Sequence, residues 1–184
     1  MKKMFSILAS ILLTGCVSTS TSTALNKTTE QAKIQKKNPE VLLGKHDRTT
    51  FQKKPYTAWF TKNFNEYTVD TETITQLKPY IQDITIKAFM GTWCSDSRRE
   101  TPSFYKILDA TNFDYKNLEL VAVSRDKDTP DELEKGLDII RVPTFIFYKN
   151  GEEIGRYVEY PRVSLEKDML AIISGQTYKH SYEN

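Results

Sequence analysis

The residues best suited to chemistry lie in one short segment, Trp93-Cys94-Ser95-Asp96-Ser97. An apolar run over 84–89 predicts a strand before it, and apolar spacing over 98–110 predicts a helix after it. A cysteine at the start of a helix faces unpaired backbone N–H groups and the positive end of the helix dipole. Both favour the thiolate, which is the nucleophilic form of cysteine. The segment therefore predicts a nucleophile, Cys94, with the hydroxyl of Ser97 able to hydrogen-bond to it.

Charged residues flank this cysteine on its helical side. Arg98 and Arg99 follow it closely and could stabilise a thiolate, or they could equally be solvated surface charges, as most arginines are. Asp96 lies inside the segment, where its negative charge would slightly oppose thiolate formation. The sequence leaves the role of the two arginines open.

Other site chemistries lack the residues that they need. The only histidines are His46 and His180, which we expect at the surface, so no base is available for a Cys–His hydrolase. One cysteine and two scattered histidines cannot supply the roughly four ligands of a closed zinc site. The acidic group Asp126, Asp128 and Asp131 lacks the glycine and terminal glutamate of a calcium loop. We therefore expect no metal and no other cofactor.

The first residues have the pattern of a targeting segment. Lys2 and Lys3 precede an apolar run over 4–13, which is too short to span a bilayer as a stable helix. The sequence Leu13-Thr14-Gly15-Cys16 then resembles the lipobox of bacterial lipoproteins, in which the signal is cut before the cysteine and the cysteine is acylated. We expect a signal peptide over 1–15 and a lipid on Cys16. The alternative is a cleaved secretory signal without a lipid.

Lipidation would determine both the location of the protein and its thiol content. With Cys16 acylated, Cys94 is the one free thiol left in the mature chain, since the sequence has two cysteines. An intramolecular disulfide is then excluded. The residue after Cys16 is Val17 rather than an inner-membrane-retaining Asp, which favours the outer membrane, with the domain facing the periplasm.

Charge is distributed unevenly along the mature chain. Residues 17–54 hold eight basic and three acidic side chains and are rich in Ser, Thr, Asn and Gln. Such a stretch buries too little apolar surface to offset its conformational entropy. We therefore expect a flexible tether over 16–54 and a folded domain over 55–184. Neither part has the basic and aromatic density of a nucleic-acid-binding surface, so we expect no nucleic-acid partner.

Helix and strand patterns alternate along residues 55–184. Asp70 is a suitable N-cap for one helix, and Thr129-Pro130-Asp131-Glu132 is a capping box that predicts another helix reaching about Leu137. Asn150-Gly151 predicts a two-residue hairpin turn. The fold class is α/β: a central mixed sheet of about four strands, flanked by helices and preceded by an N-terminal helical extension. The predicted core order is β-α-β-α-β-β-α.

This order resembles the thioredoxin fold over about 84–175, and several motifs support the resemblance. Trp93-Cys94 ends the first core strand, Pro102 lies inside the following helix, and Arg141-Val142-Pro143-Thr144 resembles the family's cis-proline motif. The resemblance implies a cis bond between Val142 and Pro143. It also implies that Trp93, Val142 and Pro143 line a groove for an extended peptide, so that the partners would be protein thiols or disulfides.

Two departures from the family pattern limit the chemistry. Ser97 stands where the family has its resolving cysteine, and a hydroxyl cannot displace a mixed disulfide. Ala88 stands where the family often has a buried acid. The resemblance then implies monothiol exchange or redox homeostasis through Cys94, completed by a protein thiol or a low-molecular-weight thiol. The alternative is a non-catalytic module that binds peptides or proteins through the same groove.

Overall fold

Helices and strands alternate along residues 41–183, the part of the chain that the computed structural model describes. The α/β architecture matches the expected fold class, and none of the described helices is long and apolar enough to cross a bilayer. The elements are β1 Gly44–His46, α1 Arg48–Phe51, α2 Thr57–Glu66, α3 Thr71–Ile81, β2 Ile84–Met90, α4 Ser95–Thr111, a 3-10 turn Tyr115–Asn117, β3 Leu118–Ala122, β4 Thr144–Lys149, β5 Glu152–Val158 and α5 Leu165–Ile173.

The five strands form one mixed sheet in the order β1-β3-β2-β4-β5. Strands β2 and β3 are parallel, whereas the other neighbouring pairs are antiparallel. Because β2 and β4 run in opposite directions, with Phe89 opposite Thr144, the end of β2 and the start of β4 lie at the same edge of the sheet. This pairing brings the 93–97 segment next to residues 141–143.

The two faces of the sheet bury different clusters, because successive strand residues point to opposite sides. On one face the strands pack against the helices, and the Phe104 and Phe145 rings stack there with centroids 4.1 Å apart. On the other face Phe89, Val121 and Ile146 form a smaller cluster with neighbouring loop residues. The helix-covered face is therefore the main hydrophobic core.

The predicted N-terminal helical extension is present as α2 and α3. Asp70 caps α3, accepting hydrogen bonds from the backbone N–H groups of Glu72 and Thr73, as the sequence predicts. Phe60 of α2 is 3% exposed and stacks on Phe51 with ring centroids 5.7 Å apart. These aromatic contacts place the extension in the main core.

The expected tether boundary at residue 54 is wrong for the described part of that segment. Strand β1 pairs with β3, with Lys45 opposite Val121, and adds a fifth strand to the sheet. Leu42 is buried, and Phe51 is fully buried against the aromatic cluster of α2. A three-residue strand is too short to display an alternating pattern, and its pairing partner lies far along the chain. The predicted signal peptide, Cys16 and residues 16–40 lie outside the described residues.

The helix expected over 129–137 is also wrong, because turns take its place. The Thr129 hydroxyl accepts the Leu133 N–H at 2.8 Å, in the manner of a cap. However, Glu132 has φ 55° and Gly136 has φ 76°, and these left-handed conformations end any helix. Leu133 and Leu137 instead pack on the smaller cluster of the sheet. The hydrogen bond of the cap therefore forms, but the residues after it pack on the sheet instead of continuing as a helix.

Candidate functional site

Cys94 lies at the junction between β2 and α4, where it is the N-cap residue of the helix. Its N–H donates to the Gly91 carbonyl at 2.9 Å, and its carbonyl accepts the Arg98 N–H at 3.1 Å. The side chain is partly buried, and the thiol donates to the Val142 carbonyl oxygen with Sγ and O 3.3 Å apart. The sulfur therefore lies directly beside the loop that contains Pro143.

The bond between Val142 and Pro143 is cis, as the family resemblance implies. A second cis bond, between Lys54 and Pro55, lies at the start of the helical extension and was not expected from the sequence. Val142 itself is 2% exposed, so the groove beside Cys94 is lined by its backbone more than by its side chain. The structure thus brings Trp93, Cys94 and the cis-proline loop together.

Trp93 is fixed by contacts on both sides of its indole. The Nε1–H donates to the Val123 carbonyl at 2.9 Å, and the Arg125 guanidinium lies 5.1 Å from the ring centroid. A Cβ at Gly91 would lie only 2.5 Å from this ring. Gly91 is therefore required for the position of Trp93, although no pattern in the sequence distinguishes it from the other glycines.

Ser97 is fully buried one helical turn after Cys94. Its hydroxyl oxygen accepts the Gly91 N–H at 3.1 Å, which joins the start of the segment to its end. The hydrogen bond expected from Ser97 to the sulfur stays a prediction. What the structure adds is a second role for this side chain, closing the loop that presents Cys94.

The two arginines after Cys94 contact groups of the loop and of helix α4. The Arg98 Nε donates to the Thr92 carbonyl at 2.5 Å. Arg99 pairs with Asp96 at 2.8 Å and with Glu100 at 2.7 Å. Burial raises the pKa of the Glu100 carboxyl, although its pairing with Arg99 pulls the other way. These contacts favour a structural role for both arginines.

A carboxyl group close to the groove belongs to a residue that the sequence analysis did not identify, Glu159. Ala88 is fully buried and offers no acid. Glu159 instead follows β5 with φ 65°, and its N–H donates to the Pro143 carbonyl at 2.7 Å. Its carboxylate accepts the Tyr182 hydroxyl and lies 4.0 Å from Arg141. Burial, together with the charge of Asp96, raises the pKa of Glu159 against the opposing charges of Arg141 and Lys127.

Neither histidine is the exposed residue that the sequence suggested. His180 is 8% exposed and faces Glu183, while His46 contacts the Leu43 carbonyl at 3.3 Å. Asp128 accepts a hydrogen bond from the Ser124 hydroxyl. Among residues 41–183, no three His, Cys, Asp or Glu side chains come together in a way that could hold a metal ion.

Comparison with known proteins identifies the family. A family model described as thioredoxin matches residues 45–171, so the chain belongs to the thioredoxin family. A thioredoxin-like protein of Acanthamoeba polyphaga mimivirus is 27% identical over 82 residues, which cover 45% of this chain and 57% of that protein. Thioredoxin H9 of Arabidopsis thaliana is 30% identical over 90 residues, covering 49% of this chain and 60% of that protein. The chain therefore spans only about three-fifths of the length of these two relatives.

Two further similarities agree with this assignment. The thioredoxin of Gallus gallus is 24% identical over 98 residues, covering 53% of this chain and 88% of that protein. A solved Pseudomonas aeruginosa protein of unknown function superposes with a TM-score of 0.56 and 17% identity, covering 71% of this chain and 93% of its own. The latter match concerns the fold alone.

Proposed function

We propose that this protein performs thiol–disulfide exchange with a single cysteine, Cys94, on protein thiols and disulfides. The observation that carries the proposal is the position of the sulfur, at the N-terminal end of α4 and 3.3 Å from the Val142 carbonyl beside Pro143. An extended chain entering the groove along Trp93 and Pro143 would bring its disulfide to this sulfur. Cys94 is the one cysteine within residues 41–183.

The exchange takes place in two steps. The Cys94 thiolate attacks one sulfur of the substrate disulfide, a new S–S bond forms, and the other sulfur leaves as a thiolate with the electron pair of the broken bond. Ser97 cannot carry out the second displacement, because it is a hydroxyl. An external thiol, from a protein or a small molecule, therefore attacks the mixed disulfide and releases Cys94 as thiolate.

The missing second cysteine makes the proposal directly testable, since mixed disulfides should accumulate. Cells expressing the full chain would be quenched with acid, and the proteins separated on diagonal gels beside a Cys94→Ser control. We expect adducts that depend on Cys94 and disappear on reduction. If wild type and control gave the same pattern, the exchange function would be rejected.

The rival function, a non-catalytic peptide-binding module, is favoured by one contact. The Cys94 thiol donates a hydrogen bond to the Val142 carbonyl, and attack on a disulfide requires that this bond be broken. The rate of alkylation by iodoacetamide at neutral pH separates the two functions. Exchange requires Cys94 to react faster than the cysteine of an unstructured peptide, whereas a slower reaction would favour the binding module.

The second part of the proposal concerns location. We propose that the protein is exported and anchored by a lipid on Cys16 in the outer membrane of the cell envelope, with the domain facing the periplasm. Support comes from Lys2, Lys3 and the apolar run that ends at Gly15-Cys16. Metabolic labelling with an alkyne fatty acid should mark the wild type and not Cys16→Ala. Unlabelled, processed wild-type protein would indicate a secretory signal without a lipid.

A further inference from the structure

The segment that follows α5 returns to the part of the molecule that holds the cis-proline loop, residues 141–143. We call residues 174–183 the C-terminal tail; they contain turns but no helix or strand. Near its end, the Ser181 hydroxyl donates to the Tyr160 carbonyl at 2.8 Å. The rings of Tyr160 and Tyr182 meet edge to face, with centroids 6.0 Å apart. The tail is therefore fixed against the residues that follow β5.

Tyr182 makes two polar contacts from this position. Its hydroxyl donates to the Glu159 carboxylate, and the Arg141 guanidinium lies 5.2 Å from the centroid of its ring. The Arg141 Nε lies 4.0 Å from the same carboxylate. Arg141, Glu159 and Tyr182 thus form one group of three side chains in mutual contact, which we call the Tyr182 cluster.

Two members of this cluster are attached to the loop beside the sulfur. Arg141 directly precedes Val142, whose carbonyl oxygen accepts the Cys94 thiol with Sγ and O 3.3 Å apart. The N–H of Glu159 donates to the Pro143 carbonyl at 2.7 Å. The tail therefore reaches the cis-proline loop by two separate routes, each of which passes through a single residue.

The exposure of Tyr182 indicates what these contacts are for. A tail that served only to complete the hydrophobic core would bury its large side chains, but Tyr182 is 39% exposed. Its hydroxyl and its ring instead contact an acid and a base, and both of these residues adjoin the loop. This arrangement restrains the position of the loop more than it adds buried apolar surface.

We propose that Tyr182 is a positioning residue that holds the cis-proline loop against Cys94. It acts through Arg141 and Glu159, and it keeps the Val142 carbonyl on the thiol until a disulfide displaces it. The role in catalysis rests on the proposed exchange function. Because attack on a disulfide requires that the hydrogen bond from the thiol be broken, a loop held in this way slows the free thiol.

The S–H stretching band in the infrared spectrum tests the proposal without any reaction. The band lies in a region that other protein groups leave empty, and it moves to lower wavenumber when the thiol donates a hydrogen bond. The reference is the full chain with Cys16→Ser, which leaves Cys94 as the one thiol because the sequence has two cysteines. Adding Tyr182→Ala should move the band to higher wavenumber, and an unmoved band would overturn the proposal.

Two further variants show whether the specific contacts of Tyr182 are responsible. Tyr182→Phe keeps the ring for Arg141 and loses the hydroxyl for Glu159, so its band should lie between those of the reference and Tyr182→Ala. Tyr178→Phe is the matched control in the same tail, since the Tyr178 hydroxyl donates to Asp168 of α5 at 3.1 Å. A shift in this control equal to that of Tyr182→Ala would overturn the proposal.

The rate of reaction with 2,2′-dithiodipyridine measures the consequence for reactivity. The Cys94 thiolate attacks one sulfur, a bond between Cys94 and that sulfur forms, and pyridine-2-thiolate leaves with the electron pair, giving an absorbance signal. Tyr182→Ala should react about threefold faster than the reference, as expected for the loss of a hydrogen bond from a weak S–H donor. A faster reaction with an unmoved infrared band would mean that the tail only shields the sulfur, and it would overturn the proposal.

These measurements separate the positioning role from the exchange function. A band that moves in Tyr182→Ala, in a protein that forms no Cys94-dependent adducts in cells, would reject exchange and keep the positioning of the loop by Tyr182. Adducts in cells together with an unmoved band would keep exchange and reject the positioning role.

Discussion

The two sides of the groove around Cys94 are built in opposite ways. On the loop side, residues 91–98, hydrogen bonds between near neighbours close the segment on itself, such as Gly91 with Ser97 and Thr92 with Arg98, and the bond from Trp93 to the Val123 carbonyl ties it to the sheet. On the tail side, contacts join distant positions: Cys94 reaches Val142 and Arg141 reaches Tyr182. The difference means that substitutions within a few residues of Cys94 can alter the loop side, whereas the tail side depends on the packing of segments far apart in the chain.

The largest expected effect comes from Ser97→Cys on the loop side. A second thiol one helical turn from Cys94 would displace the mixed disulfide from within, where short links give effective concentrations in the millimolar range. Against a micromolar external thiol, release should accelerate about a thousandfold. The rate of release is measured by stopped-flow fluorescence, with a fluorescent peptide held on Cys94 as the mixed disulfide.

Ser97→Ala serves as the control for that gain, because it alters the same position without adding a thiol. If Ser97→Cys folded correctly and released the peptide no faster than Ser97→Ala, the loop side would not be sufficient to determine reactivity. The comparison between the two sides would then fail at its first step.

Gly91→Ala should give the next largest effect. The new Cβ would lie 2.5 Å from the Trp93 ring, so the indole must move and lose its hydrogen bond to the Val123 carbonyl. We expect a loss of about 1–3 kcal/mol in the free energy of unfolding in urea. The rate of reaction of Cys94 with 2,2′-dithiodipyridine should fall as well.

A double variant isolates the cause of that loss. In a Trp93→Ala background, Gly91→Ala should cost much less, because the atoms that it displaces are gone. An undiminished cost would place the strain elsewhere in the loop.

Ser97→Ala should have a narrower effect than Gly91→Ala, because it lowers the free energy of unfolding without displacing the Trp93 ring. It leaves the Gly91 N–H without its buried acceptor, a change that typically costs about 1–3 kcal/mol. Ser103→Ala is the matched control on the same helix, since the Ser103 hydroxyl only donates to the Arg99 carbonyl at 3.0 Å. Urea unfolding of both variants should show the larger loss at Ser97, and equal losses would argue against its role in closing the loop.

The smallest expected effect is a pH dependence of stability that arises from Glu100, in the helix α4 that follows Cys94. Burial raises the pKa of Glu100 in the folded protein, so the folded state holds this proton more tightly than the unfolded state. Stability is therefore lost as the pH rises from the ordinary carboxyl range through the raised pKa. Glu100→Gln stays neutral and should lose less stability than wild type over that window.

The control for this comparison is Glu66→Gln, at the exposed end of α2. Thermal unfolding of the three proteins across the mildly acidic range measures the pH dependence. A Glu100→Gln curve parallel to that of wild type would mean that the buried carboxyl is fully compensated by Arg99 and by the Tyr157 hydroxyl that bonds to it.

The difference between the loop side and the tail side also explains how much of the site could be predicted from the sequence. Cys94, Trp93 and Ser97 were identifiable because a strand, a turn and a helix follow one another in the sequence, each with its own periodicity. The neighbours Val142 and Pro143 were accessible only through the family resemblance. Glu159 and Tyr182 carried no signal, since an acid after a strand and a tyrosine near a chain end are ordinary in themselves.

What the sequence by itself determined is the inventory and the local order: one cysteine within the folded part, a hydroxyl at position 97, the strand–helix junction and the Asp70 cap. Only the tertiary structure decided that β1 joins the sheet, that turns replace the helix after Thr129, and that the tail borders the groove. The physical reason is the distance along the chain over which each kind of interaction acts. A cap contributes about 1 kcal/mol from residues within one turn, whereas burying several large apolar side chains contributes about 1.5–3 kcal/mol each and depends on partners far along the chain.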